Sequence, residues 1–180
     1  YSDFYFGFGS EQIAIQEPMI VPNKIAVGSA KLEAKLRCLS KDDSPNLFDI
    51  VFLGSYAEQD SIYYDTDTYV EIIDNLVRFA RRNPSFKIFY SDKKRIAPRP
   101  PYFELMEKLK SASIILHHPE IQNSYEAVLS SKLTIFYRTT MGFEATGMNA
   151  NVLNINYDND IFPFNPAIDA CVLTDRDFIS

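Results

Sequence analysis

Residues 133–156 read LTIFYRTTMGFEATGMNANVLNIN, and this stretch predicts a strand, a polar corner, a short helix and a second strand. The apolar run 133–137 is typical of a buried strand, and 141–148 fits a helix. Thr139 or Thr140 is placed to cap that helix. In a parallel sheet such a corner lies at the carboxyl ends of the strands, where the free N–H groups of a helix attract anions. The stretch therefore predicts an α/β fold with an anion site at the corner.

Strand and helix patterns alternate through most of the chain. Apolar runs at 48–54 and 86–91 fit buried strands, and apolar residues recur at helical spacing over 66–82. Further strand patterns lie at 5–8, 24–27, 113–118 and 170–174, and further helical patterns at 30–39, 102–110 and 124–130. Because strands joined by helices form right-handed βαβ units, we predict a Rossmann-like three-layer α/β sandwich with a mainly parallel sheet.

A cluster of turn-forming residues divides the chain. The sequence KDDSPN at 41–46 predicts a boundary between an irregular N-terminal extension, 1–47, and a regular domain, 48–180. The 180 residues, 46% of them hydrophobic, suit one such domain with a packed core. The prolines near the end of DKKRIAPRPP, 92–101, predict a loop between two of its elements.

Charge and cysteine content narrow the function classes. The formal net charge of −6 gives no general attraction to nucleic acid or to an anionic membrane, so an anion site has to be a local exception. Cys38 and Cys171 form no CxxC pair, which favours a reduced cytoplasmic protein, although a disulfide between them stays open. No apolar run has membrane-span length, and no basic segment followed by an apolar one predicts a secretory signal. No HExxH or Cys/His spacing predicts a metal site.

The corner supplies the first candidate site residues. Arg138 follows the predicted strand, where it could make a bidentate contact with a phosphate. The alternative is a surface arginine paired to a carboxylate. Glu144 lies one turn into the predicted helix. One interpretation is an acidic residue that the helix dipole favours in the first turn. The other is a carboxylate that accepts hydrogen bonds from ribose hydroxyls.

A basic loop follows the strand predicted at 86–91. The loop carries four cations and one carboxylate, a local charge of +3, on Lys93, Lys94, Arg95, Arg99 and Asp92. The carboxyl end of this strand belongs to the same sheet edge as the corner, so positive potential there would favour a phosphate. A solvated run of charges is the alternative.

Two strand ends supply the remaining candidates. Gly54 and Ser55 end a strand, where a glycine lets the backbone approach a ligand closely. The chain has neither a GxGxxG nor a GxxxxGK[ST] motif, which argues against a dinucleotide oxidoreductase and a P-loop NTPase.

His117 and His118 are neighbours on a predicted strand and would point to opposite faces, so a shared metal is not expected. His118 is a candidate base, with packing as the alternative.

The stretch 133–156 runs from a strand through T-T-x-G-F-E-A-x-G and a small-residue turn to NVLNIN. This order of elements resembles the donor-binding half of GT-B glycosyltransferases. The nearest type is the bacterial capsule and surface-polysaccharide enzymes, and the non-hydrolysing sugar-nucleotide epimerases share the outline. The resemblance covers residues 48–175 and implies the fold of one GT-B half. By position it assigns Thr139 and Thr140 to the donor pyrophosphate and Glu144 to the ribose. It also implies a phosphate contact from Lys93, Lys94 or Arg95.

The function implied by the resemblance is glycosyl transfer from a nucleotide sugar to a saccharide or lipid-linked acceptor in surface-polysaccharide synthesis. The nucleotide sugar is then a substrate, and no cofactor, metal or nucleic acid is expected. Family members carry a preceding acceptor domain that holds the base, so this chain alone is expected to bind the donor without completing transfer. The implied location is cytoplasmic, with peripheral association at the inner face of the membrane left open.

Three alternatives stay open. A sugar-nucleotide epimerase-like domain and a polyol-phosphate transferase domain would keep the nucleotide chemistry. A flavodoxin-like binding or regulatory module would use the same sheet edge without catalysis.

Overall fold

The structure, a computed structural model, describes residues 4–7, 23–26, 29, 32–34, 37, 46–54, 66–92, 100–155 and 172–173. Seven strands and four helices have both ends within these ranges, and residues 32–34 are helical as well. The strands are β1 (Phe4–Gly7), β2 (Asn23–Ala26), β3 (Phe48–Leu53), β4 (Ile88–Ser91), β5 (Ser131–Phe136), β6 (Val152–Ile155) and β7 (Val172–Leu173). The helices are α1 (Thr66–Arg82), α2 (Pro100–Ser111), α3 (Ser124–Leu129) and α4 (Thr140–Gly147).

The main sheet is parallel, with the strand order β4-β3-β5-β6-β7. Ile115 adds one more position at the edge beside β4, because it forms an isolated parallel bridge with Phe89. Counted along the chain from β3, the five strands have the order 2-1-3-4-5, one of the two common orders of doubly wound, Rossmann-like sheets that bind nucleotides. The predicted Rossmann-like α/β fold is therefore confirmed.

Helices cover both faces of the main sheet. Ile50 and Phe52 of β3 point to the face that carries α1 and α2, whereas Val51 and Leu53 point to the face that carries α3 and α4. This alternation follows from the two-residue period of a strand, and both sets are buried. Helix α1 spans the predicted residues 66–82 and supplies most of the first layer, because its apolar side chains recur at helical spacing.

Two local predictions are wrong. The run SIILHH does not form a continuous strand, since within it only Ile115 is bridged to the sheet. Pro100 and Pro101 are not loop residues but begin α2. Proline is tolerated in the first helical turn because the N–H groups there have no intrahelical partner.

The N-terminal part contributes a small two-stranded sheet in which β1 and β2 pair in parallel. Farther along, the side chain of Leu32 packs against the buried cluster under α3 and α4. Contacts therefore cross residue 47, and the domain division there stays a prediction. Both cysteines lie outside the described residues.

Asp49 lies near the amino end of β3 and contacts the chain at the amino ends of the two strands beside it. These contacts lead to a prediction about the pH dependence of stability. Its carboxylate accepts hydrogen bonds from Lys132 Nζ at 2.7 Å and from the Lys87 N–H at 2.9 Å. Both bonds, the one from Lys132 first, lower the pKa of Asp49 below its ordinary 3.8.

A carboxyl whose pKa is lower in the folded state stabilises the fold above its unfolded pKa and loses that contribution as pH falls through the folded value. We therefore expect Asp49→Asn to lower the urea midpoint near neutral pH, and the difference from wild type to shrink below about pH 4. Urea titrations at several pH values check this. A difference that stays constant down to about pH 2 would assign the loss to something other than the carboxylate charge.

Candidate functional site

The direction of the connections reverses between β3 and β5. From β3 the chain moves to β4 and Ile115 on one side, and the later strands β5, β6 and β7 lie on the other side. In an open parallel sheet, the two connections leaving such a switch point separate and open a crevice at the carboxyl ends of the strands. Gly54 follows β3 at this edge, and the corner follows β5. The structure thus brings Gly54 and the corner to the same edge of the sheet, where such a crevice is expected.

The corner presents the N-terminus of α4 to the crevice. Thr139 is the N-cap: its backbone is extended, it is buried, and its hydroxyl oxygen accepts from the Met141 N–H at 3.4 Å. Thr140 is the first residue of α4 and its side chain is exposed. Of the two predicted caps, Thr139 fills the role, which leaves Thr140 as the threonine that faces solvent.

Arg138 has the least favourable backbone of the corner. Its φ is +45°, in the left-handed region that non-glycine residues rarely adopt. Its guanidinium carbon lies 5.3 Å from the ring centroid of Tyr137, a cation–π distance. Non-glycine residues in such conformations are concentrated at ligand-binding sites. The backbone turns at the strand end, and the guanidinium lies over the ring of the preceding Tyr137.

Three buried tyrosines pack near the carboxyl edge of the sheet on the α1/α2 face. The hydroxyls of Tyr69 and Tyr90 lie 2.7 Å apart, and the Tyr69 ring centroid is 6.4 Å from that of Tyr137. Burial raises the pKa of Tyr90 well above its ordinary range, so its phenol stays protonated. A Cβ on Gly54 would lie 2.6 Å from the Tyr90 hydroxyl oxygen. Gly54 is thus required for the close approach of β3 to this tyrosine pair, and it leaves the carboxyl end of β3 uncovered by a side chain.

Glu144 is hydrogen-bonded to two hydroxyl groups. Ser29 Oγ donates to Oε1 at 2.6 Å and the Tyr125 hydroxyl donates to Oε2 at 2.6 Å. Burial, followed by the bond to Glu144, raises the pKa of Tyr125, so the phenol remains a donor across the neutral range. The carboxylate therefore joins α4 to α3 and to the N-terminal extension. Each of its oxygens has a second lone pair and keeps the capacity to accept another hydroxyl.

The other predicted site residues are placed as follows. The ring of His118 packs edge-on against Phe48, with centroids 5.4 Å apart. Phe48 begins β3 and is level with Ser131 at the start of β5, so His118 contacts the end of the sheet opposite the corner. Ser55 and the basic loop with Lys93, Lys94, Arg95 and Arg99 lie outside the described residues.

Ser29 and Tyr125 both donate hydrogen bonds to Glu144, but no local sequence pattern connected them with the corner. They are separated from Glu144 by 115 and 19 residues respectively, so no helix or strand periodicity links them. The one available signal was the dipeptide GS at 28–29 after a predicted strand, the same signal as at 54–55. It indicates a strand-end turn but not which helix the turn contacts.

No model of a known protein family matches the chain. No curated protein sequence matches it either. Within the described ranges, no helix has the length and apolar character needed to cross a bilayer. In the same ranges, no group of three or more His, Cys, Asp or Glu side chains is arranged to hold a metal ion.

Proposed function

We propose that this chain binds the nucleotide-sugar donor of a GT-B-type glycosyltransferase that acts in surface-polysaccharide synthesis. The observation that carries the proposal is the position of the corner at the switch point between β3 and β5, next to Gly54. Ligands of open parallel sheets bind at that point. The resemblance of 133–156 to the donor half of these enzymes then supplies the type of ligand.

The corner suits a diphosphate. The first N–H groups of α4 and the guanidinium of Arg138 supply positive potential, and the Thr140 hydroxyl is an exposed donor. In a transfer reaction these groups would stabilise the charge that develops on the leaving nucleoside diphosphate. The remaining acceptor capacity of Glu144 suits the hydroxyls of a ribose bound one helical turn further on.

The proposal assigns donor binding to this chain and leaves the acceptor site and the base to polypeptide outside it. A non-catalytic flavodoxin-like module is the second candidate, because the five strands of the main sheet have the flavodoxin-like order 2-1-3-4-5. A nucleotide-dependent epimerase or polyol-phosphate transferase would use the same diphosphate contacts.

Thermal stabilisation by nucleotides tests donor binding directly. We expect one of UDP, CDP or GDP at about a hundred times its Kd to raise Tm by about 5–10 °C, because a ligand that binds only the folded state stabilises it by RT ln(1 + [L]/Kd). The matching monophosphate and the free sugars should raise Tm less. No shift with any nucleoside diphosphate would contradict the proposal.

Two corner variants locate the site. Arg138→Gly removes the cation while glycine readily adopts the positive φ, so we expect a folded protein with at least a tenfold weaker diphosphate Kd. Thr140→Val should weaken the same Kd several-fold. Lys110→Gln on α2 is the matched control, because it removes a cation from an exposed ion pair far along a different helix. Equal affinities for Arg138→Gly and Lys110→Gln would place the diphosphate elsewhere.

A further inference from the structure

The turn between α1 and β4 forms an exposed basic and aromatic surface at the edge of the sheet opposite the corner. Its sequence from 81 to 87 is RRNPSFK. We define the basic end as three arginines of α1 and two residues of the following turn, all exposed: Arg78, Arg81, Arg82, Phe86 and Lys87. Because α1 runs from the carboxyl edge of the sheet to its amino edge, this surface and the candidate site face in opposite directions.

The arginines share one side of α1. Arg78, Arg81 and Arg82 are spaced by three and four residues, so they are neighbours on the helix surface. Together with Lys108 of α2 they line a shallow depression between the two helices. Lys108 forms an ion pair with Asp74, and Arg81 donates to Ser111 Oγ at 3.0 Å, so the depression is held by contacts between α1 and α2. It presents several guanidinium groups in one direction.

The charge of this end contrasts with that of the chain. Among the described residues here, Lys108 and Lys110 are neutralised by Asp74 and Glu107. The basic end as defined carries four cations and no carboxylate, on Arg78, Arg81, Arg82 and Lys87. The whole chain carries −6. A positive end on an acidic protein orients the molecule toward an anionic surface and keeps the remainder away from it.

Phe86 adds an apolar contact at the same place. Its side chain is 45% exposed, although the ring is held edge-on against Phe79 at 5.5 Å. The backbone of the turn is fixed by the Phe86 N–H, which donates to the Asn83 carbonyl at 3.1 Å. An ordered aromatic ring flanked by cations fits the interface of a bilayer, where the ring lies at headgroup level and the cations meet lipid phosphates.

We propose that the basic end docks on the surface of an anionic lipid bilayer. The three arginines bind lipid phosphates, and Phe86 enters the interface between them and Lys87. Two signals of this kind, charge and an apolar anchor, act together in reversible membrane attachment. The proposal concerns a different surface from nucleotide binding and does not depend on it.

Co-sedimentation with vesicles tests the docking in the absence of any nucleotide. We expect the full chain to bind vesicles that contain phosphatidylglycerol and not vesicles of phosphatidylcholine alone. Binding should weaken as the salt concentration rises, because the cations act through a screened surface potential. Equal binding to both kinds of vesicle, or to neither, would overturn the proposal.

Paired variants assign the binding to the basic end. Arg78→Gln should reduce the vesicle partition coefficient about fivefold, and the triple Arg78→Gln, Arg81→Gln, Arg82→Gln about a hundredfold. Arg37→Gln, which removes an exposed cation from the N-terminal extension, should leave it unchanged. Phe86→Ser should reduce it several-fold, whereas Phe103→Ser, which removes a more exposed ring from the opposite end of α2, should not.

Three further readouts keep the outcome unambiguous. Unchanged Tm in the single variants shows that lost binding is not lost folding. Thr140→Val should retain wild-type vesicle binding, so failure of the nucleotide site and failure of the docking surface are distinguished. If an oligonucleotide displaced the vesicles and bound Phe86→Ser as well as wild type, the surface would recognise nucleic acid and the lipid proposal would be wrong.

Discussion

Gly142→Ala is expected to destabilise the protein by about 2–3 kcal/mol, the typical cost of overpacking a core. Gly142 is buried in α4, and a Cβ there would lie 2.2 Å from two ring atoms of Phe136 on β5. Phe136 is completely buried, so its ring cannot move into solvent. Alanine would ordinarily favour a helix interior by 0.5–1 kcal/mol, and the clash therefore reverses the usual sign. Urea unfolding monitored by circular dichroism measures the change.

Gly147→Ala is the matched control in the same helix. Its Cβ would come within 3.0 Å of Leu32 Cδ2, the end of a flexible side chain, and Gly147 is exposed at the last helical position. We expect a change within about 0.5 kcal/mol. Adding Phe136→Leu to Gly142→Ala should recover part of the loss, since the smaller side chain makes room for the Cβ. If Gly142→Ala were as stable as Gly147→Ala, α4 would not pack against β5 at the distance seen in the structure.

Glu144→Ala has the second largest expected effect, a loss of about 2 kcal/mol in the free energy of unfolding. The substitution removes two 2.6 Å hydrogen bonds to a carboxylate, and such bonds contribute about 1.5–3 kcal/mol when buried. We take a value low in that range because both hydrogen bonds of Glu144 are only partly buried. Tyr125 is 4% exposed, so its phenol would be left without this acceptor. Glu107→Ala is the control, because it breaks a fully surface-exposed ion pair and should change stability little.

A double-mutant cycle separates the structural role of Glu144 from any role in ribose binding. The coupling energy between Glu144→Gln and Tyr125→Phe should be about 1–2 kcal/mol. Tyr125→Phe retains the carboxylate, so it should leave nucleotide affinity nearly unchanged, while Glu144→Gln should weaken it. Equal loss of affinity in both variants would mean that Glu144 acts on the ligand only through the packing of α3 against α4.

Periodicity was enough to predict α1, because its apolar side chains recur at helical spacing along one face, and short apolar runs were enough to predict β3 and β5. It failed at SIILHH, where an apolar run suggested a full strand. Only Ile115 pairs with β4, and the chain then turns so that His118 packs on Phe48. Hydropathy does not distinguish a strand from a buried irregular segment. The prediction of a loop at the prolines that begin α2 failed for a related reason. Whether proline is tolerated depends on its position within the helix, which the local sequence did not show.

The sequence alone determined the α/β class, the parallel sheet and a polar corner capped by a threonine, because each depends on residues a few positions apart. Only the tertiary structure decided the rest. Strand order placed the corner at the switch point beside Gly54, and long-range contacts gave Glu144 its partners Ser29 and Tyr125. Those features depend on which strands become neighbours, and strand order is set by packing across the whole sheet rather than by any local pattern.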